Sequence, residues 1–100
     1  AGDIETSAML AARPELVDIE KARDFVAAMQ RWDTDNRFTG LTGQPAQPAW
    51  IIDDLNADGA CGDASAASVG KGAQFLDSAA RNFAQFLAEF AGFDHRRSGA

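Results

Sequence analysis

A chain of 100 residues holds one small domain or part of a larger one, and an apolar share of 46% provides for a core and argues against disorder. The longest apolar runs are too short to cross a bilayer. A net charge of −6, with nine scattered Lys and Arg, argues against a nucleic-acid backbone or an anionic membrane as partner. The single cysteine, Cys61, excludes an internal disulfide and fits a reducing, cytoplasmic setting.

The chain opens with Ala1-Gly2-Asp3-Ile4-Glu5-Thr6-Ser7-Ala8-Met9-Leu10, which reads as an apolar helix carrying acidic residues. It is expected from about Asp3 to Ala12 and should stop near Arg13, because Pro14 disfavours helical geometry in the residue before it. Asp3 is the expected cap, its side chain accepting from free N–H groups of the first turn. Glu5, Ala8, Met9 and Ala12 then share a face, which sets a carboxylate on a surface whose other members favour burial. A buried, unpaired carboxylate costs several kcal/mol. Glu5 therefore calls for a partner charge, a metal or a proton. The segment carries no initiator Met and no signal-like run, so the expectation is the C-terminal part of a longer protein.

Pro14 to Ile19 reads as a turn followed by a short alternating stretch, and a second helix is expected over about 20–32, where Phe25, Met29 and Trp32 keep helical spacing. Residues 33–65 read as a loop punctuated by Gly40, Gly43, Pro45 and Pro48, with Trp32 and Trp50 as anchors and Trp50-Ile51-Ile52 as an edge strand or a plug into a neighbouring core. A long amphipathic helix follows over about 66–91, with Val69, Ala73, Leu76, Ala80, Phe83, Leu87 and Phe90 recurring at steps of four and three. Its stripe is too wide for a two-stranded coiled coil and should cover a sheet that these residues largely lack. Gly92 is the expected stop, and 92–100 a tail that frays from His95 onward.

No segment carries a complete site. Asp54-Leu55-Asn56-Ala57-Asp58-Gly59 matches the opening of a calcium loop, but its twelfth position is Ser65 rather than a bidentate carboxylate. Ser68-Val69-Gly70-Lys71-Gly72 has the outline of a phosphate loop without its leading glycine or its magnesium-binding hydroxyl. Cys61 and His95, the one histidine, supply neither a nucleophile pair nor a zinc site.

Two segments together resemble the creatininase family, the creatinine amidohydrolases. Ala1 to Leu10, continuing through Ala11-Ala12-Arg13-Pro14-Glu15-Leu16-Val17, is similar to that family's His-Ala-Gly-x-x-Glu-Thr-Ser segment and the Arg-Pro-x-Leu-Val that follows. Ala60-Cys61-Gly62-Asp63 with Ala67-Ser68-Val69-Gly70-Lys71-Gly72 is similar to its Gly-Asp-Pro and Ala-Thr-x-Glu-Lys-Gly run; here Ala64 stands for the proline and Gly70 for the glutamate. The resemblance implies an α/β fold in which residues 1–100 are the C-terminal part of a single three-layer α/β/α domain, itself mainly helical with at most one or two short strands. It implies a metal-dependent amidohydrolase acting on a cyclic or linear amide C–N bond of a small substrate, with water activated at a binuclear divalent site of zinc, manganese or iron. The family's ligand-rich motifs lie N-terminal to these residues. The implied partner is therefore the N-terminal part, as a separate or missing chain, within a homo-oligomer, and the segment alone should be inactive. Glu5 carries over as a carboxylate on or next to the metal, with a supporting or capping role as the alternative. Asp3, Gly62, Asp63, Lys71 and Gly72 carry over as structural positions. The rival reading is a non-enzymatic helical interaction module.

Overall fold

The computed structural model describes residues 1–97. Their order is α1 (Asp3–Ala12), 3-10 turns at Pro14–Leu16 and Ile19–Lys21, β1 (Asp24–Phe25), α2 (Met29–Asp35), α3 (Ile52–Leu55), β2 (Gly62–Asp63), a 3-10 turn at Ala64–Ala66 and α4 (Val69–Ala91). The described residues are mostly helical. Their one sheet is antiparallel and two-stranded, with Asp24 opposite Asp63 and Phe25 opposite Gly62.

The second helix lies later than its spacing predicts, at 29–35 rather than 20–32. The cause is tertiary: Arg23 C=O accepts from the Ala64 N–H, and the Ala28 N–H donates to Leu55 C=O. These bonds hold 23–28 against β2 and α3, so helical spacing at Phe25 yields to pairing. The expected loop 33–65 likewise contains α3, β2 and the turn after it. Trp50-Ile51-Ile52 forms no strand; Ile51 precedes α3 and its N–H donates to Asp54 Oδ2 at 2.9 Å, while all three side chains stay exposed. The stretch from Pro14 to Ile19 holds a 3-10 turn at Pro14–Leu16 and leads into a second at Ile19–Lys21. Residues 38–46 close on themselves: Thr39 bridges Ala46, and Asp33 on α2 accepts from the Leu41 N–H and the Thr42 hydroxyl.

Helix α4 begins at Ser68, whose hydroxyl accepts from the Lys71 N–H at 3.2 Å, and ends with Gly92 as its cap. The Asp77–Arg81 pair on its wet face is 2.9 Å apart. Helix α1 packs on its first turns. Beyond these turns the apolar stripe is open, with Phe83, Phe86 and Phe90 60%, 51% and 60% exposed. Their rings stack at centroid distances of 6.0 and 5.6 Å, and Phe93 extends the row at 6.4 Å.

Few apolar side chains lie deep; Ala27, Leu55 and Ala64 are the buried ones among the described residues. The radius of gyration is 19.0 Å, where a compact domain of this length has about 13 Å. The accessible surface is 7555 Å², against about 5,500 Å² for a compact monomer of this mass. No described helix is long and apolar enough to cross a membrane. Of the expected tail, residues 98–100 lie outside the described part, while Asp94 and Arg96 pair at 3.2 Å.

Candidate functional site

The site is built on α1. Its N-cap is Gly2, with no side-chain cap, and Asp3 is already helical; the capping role expected for Asp3 is not what it performs. Its carboxylate instead accepts from Ser7 Oγ at 3.0 Å and from Lys71 Nζ at 2.7 Å. The Lys71 ammonium holds the Asp3 carboxyl below the usual aspartate range, with the Ser7 hydroxyl adding to this against partial desolvation.

Burial on α1 centres on Ser7, with Asp3, Thr6, Ala8, Leu10 and Ala11 half-buried, while Glu5, Met9 and Ala12 of the expected face are exposed. Ser7 is 0% exposed. Its hydroxyl donates to Asp3 and accepts from the Ser68 N–H at 3.0 Å, so both of its capacities are used. Gly72 faces it so closely that a Cβ there would lie 1.8 Å from Ser7 O. Lys71 Nζ also donates to Ala66 C=O at 2.5 Å.

A second close approach stands at β2. Gly62 has φ +110°, open to glycine, and a Cβ on it would come within 2.6 Å of Gly2 Cα. Asp63 turns away from this contact, accepting from the Ser65 N–H at 3.1 Å and from the Ser65 hydroxyl. The expected structural positions Asp3, Gly62, Lys71 and Gly72 thus meet across the α1 seam, and Asp63 caps the turn that follows β2.

Glu5 is not buried. Its side chain is 77% exposed and 3.3 Å from the Ala1 nitrogen, so the puzzle of a carboxylate in an apolar core does not arise. It borders an open cleft of about 390 Å³ lined also by Thr6, Met9, Leu16, Val17 and Phe25. A carboxylate beside an apolar floor can accept from a ligand N–H or take a cation. Among the described residues no group of three or more His, Cys, Asp or Glu is placed to hold a metal ion, so these residues do not make a metal site on their own.

The other motifs are otherwise engaged. Asp54 accepts from the Ile51 N–H, Asn56 Oδ1 accepts from the Asp58 N–H at 2.8 Å, and Asp58 pairs with Arg23 at 2.6 Å, so the calcium-like oxygens face separate partners. Lys71 of the phosphate-like run is turned to Asp3. Cys61 is a half-buried free thiol, and its carbonyl accepts from the Ala1 nitrogen at 3.1 Å.

Ser7 and Ser68 were the roles that spacing did not reveal. The available signal was a hydroxyl four residues after Asp3 inside an apolar helix, where a serine needs a partner if buried. Nothing local pairs Asp3 with a lysine 68 positions away.

No curated protein and no solved structure matches the chain. The family model described as creatinine amidohydrolase matches residues 1–87, spanning α1, the sheet and most of α4. The two segments that carry the likeness are those that meet at the α1–α4 seam, and by this match the chain belongs to the creatininase family.

Proposed function

We propose that this chain supplies the Glu5 helix and the covering helix α4 to a metal-dependent amidohydrolase of the three-layer α/β/α kind, acting on a cyclic or linear amide of a small molecule. The observation that carries this reading, beside the family itself, is the exposed Glu5 carboxylate at the edge of a cleft. The remaining ligands, for a binuclear zinc, manganese or iron site, would come from an N-terminal part, with Glu5 on or beside the metal. A divalent metal of this sort lowers the pKa of bound water to about 7 and polarises a carbonyl. The open Phe stripe and the large radius of gyration support a missing packing partner, a sheet under α4. We place the assembled enzyme in the cytoplasm as a homo-oligomer.

The test is isolation of the native assembly, with intact mass of every chain, metal analysis and hydrolysis of a panel of small cyclic and linear amides. Bound divalent metal and amide cleavage are expected, with Glu5→Gln lowering metal affinity or activity about 10–100-fold. An assembly with no metal and no ligand cluster within reach of Glu5 would overturn the reading.

The exposed phenylalanine row favours one alternative, a non-enzymatic helical interaction module. That reading expects this chain to be folded and monodisperse by itself, whereas the hydrolase reading expects aggregation through the open stripe until its partner is present.

A further inference from the structure

We infer that Lys71 is a positioning residue for Glu5, acting through Asp3 and the buried Ser7 hydroxyl. Lys71 sits in the first turns of α4 and reaches two acceptors from different elements, Asp3 Oδ2 at 2.7 Å and Ala66 C=O at 2.5 Å. The other oxygen of Asp3 accepts from Ser7 Oγ, and that hydroxyl accepts from the Ser68 N–H, at 3.0 Å each. Ser68 in turn caps α4 and accepts from the Lys71 N–H at 3.2 Å.

The contacts therefore close a ring: Lys71 side chain to Asp3, Asp3 to Ser7, Ser7 to the Ser68 backbone, and the Ser68 hydroxyl back to the Lys71 backbone. A ring of directional bonds fixes rotation and translation together, which apolar contact alone does not. Gly72 removes the remaining slack, since its Cα surface lies directly against Ser7. Glu5 lies between Asp3 and Ser7 on the same helical turn, so its place at the cleft follows from theirs. Asp3 spends its carboxylate across the seam, while the Glu5 carboxylate borders the cleft beside the Ala1 nitrogen. What Glu5 binds rests on the hydrolase reading; where Glu5 stands does not.

The experiment uses this chain labelled for NMR in the native form in which it is isolated, alone or with its partner chain, with Lys71→Met, Lys71→Arg, Asp3→Asn and the double variant D3N/K71M. Two readouts are followed: exchange of the Thr6 amide, which donates to Gly2 C=O at 3.0 Å, and the Met9 and Phe25 side-chain resonances that line the cleft with Glu5. In K71M Thr6 exchange should quicken about tenfold or more, and the cleft resonances should shift. K71R should restore slow Thr6 exchange and most of the cleft shifts. The double variant should resemble either single variant, since one ring is broken once. If K71M melts α1 outright, the K71R and D3N arms carry the test. Unmoved cleft resonances in D3N, or additive effects in the double variant, would overturn the inference. A chain lacking metal and hydrolase activity would leave both readouts intact, so failure of the positioning role and failure of the hydrolase reading are told apart.

Discussion

The two halves of α4 carry one apolar stripe and use it in opposite ways. Over the first turns, Gly72 and Lys71 meet Ser7 and Asp3, and the contact is close, small-residue and wired by hydrogen bonds. Over the last turns, Phe83, Phe86 and Phe90 stand in a stacked row that no other element of the described residues covers. The first kind of surface accepts one partner in one register, because a shift of a residue strands a buried hydroxyl and drives backbone onto backbone. The second is a non-directional reservoir: at roughly 25 cal/mol per Å² it rewards any apolar cover. A family signature carried by glycine, serine and lysine therefore marks the specific seam, while the phenylalanines mark where bulk burial is still to be gained.

The sharpest way to break that contrast is at Gly72. Gly72→Val places side-chain carbon against Ser7 backbone and should open the seam by about 3 kcal/mol, read as lost exchange protection in α1 and the first turns of α4. Ser7→Ala comes next. It leaves the Ser68 N–H and Asp3 without their buried partner, and should cost about 1–3 kcal/mol by the same measurement. Acidification is a gentler probe of the same ring. The Asp3 carboxyl is held below its ordinary range in the folded chain, so its contribution is fully present above the unfolded value and is lost as pH falls through the folded one. Seam protection should therefore weaken below the usual aspartate range, and less so in D3N, which has no carboxyl there to protonate. The smallest effect belongs to the other half: Phe86→Gln with Phe90→Gln should change seam stability by no more than about 0.5 kcal/mol, while lowering self-association in sedimentation at raised concentration.

How much of this could be read in the sequence differs between the same two regions. The Phe stripe follows from period alone, because steps of three and four place Leu76, Phe83 and Phe90 on one side whatever else is present. The resemblance singles out Gly62, Lys71 and Gly72, and Asp3 reads as a helix cap, yet no spacing rule couples residues this far apart, so their meeting needed the fold. Glu5 was misplaced for a related reason. Counting apolar neighbours puts Glu5 and Met9 on the buried side with Ala8, but the side that packs is chosen by the partner, and Gly72 offers a surface that fits Ser7 and Ala8 rather than Met9. The helix expected at 20–32 failed where backbone bonds from Ala64 and Leu55 took hold of its residues. Those are long-range pairings, invisible to a window of local periodicity.

Native-state hydrogen exchange along α4 of this chain, kept dilute enough to remain monomeric in sedimentation, tests this division most directly. Protection should be shared by Thr6 to Leu10 and by Gly72 to Leu76, rising and falling together under mild denaturant, with amides from Phe83 to Phe90 exchanging about tenfold faster or more. Uniform protection along the whole of α4, or slow exchange at Phe83 to Phe90 with fast exchange at Ser7 and Gly72, would contradict it.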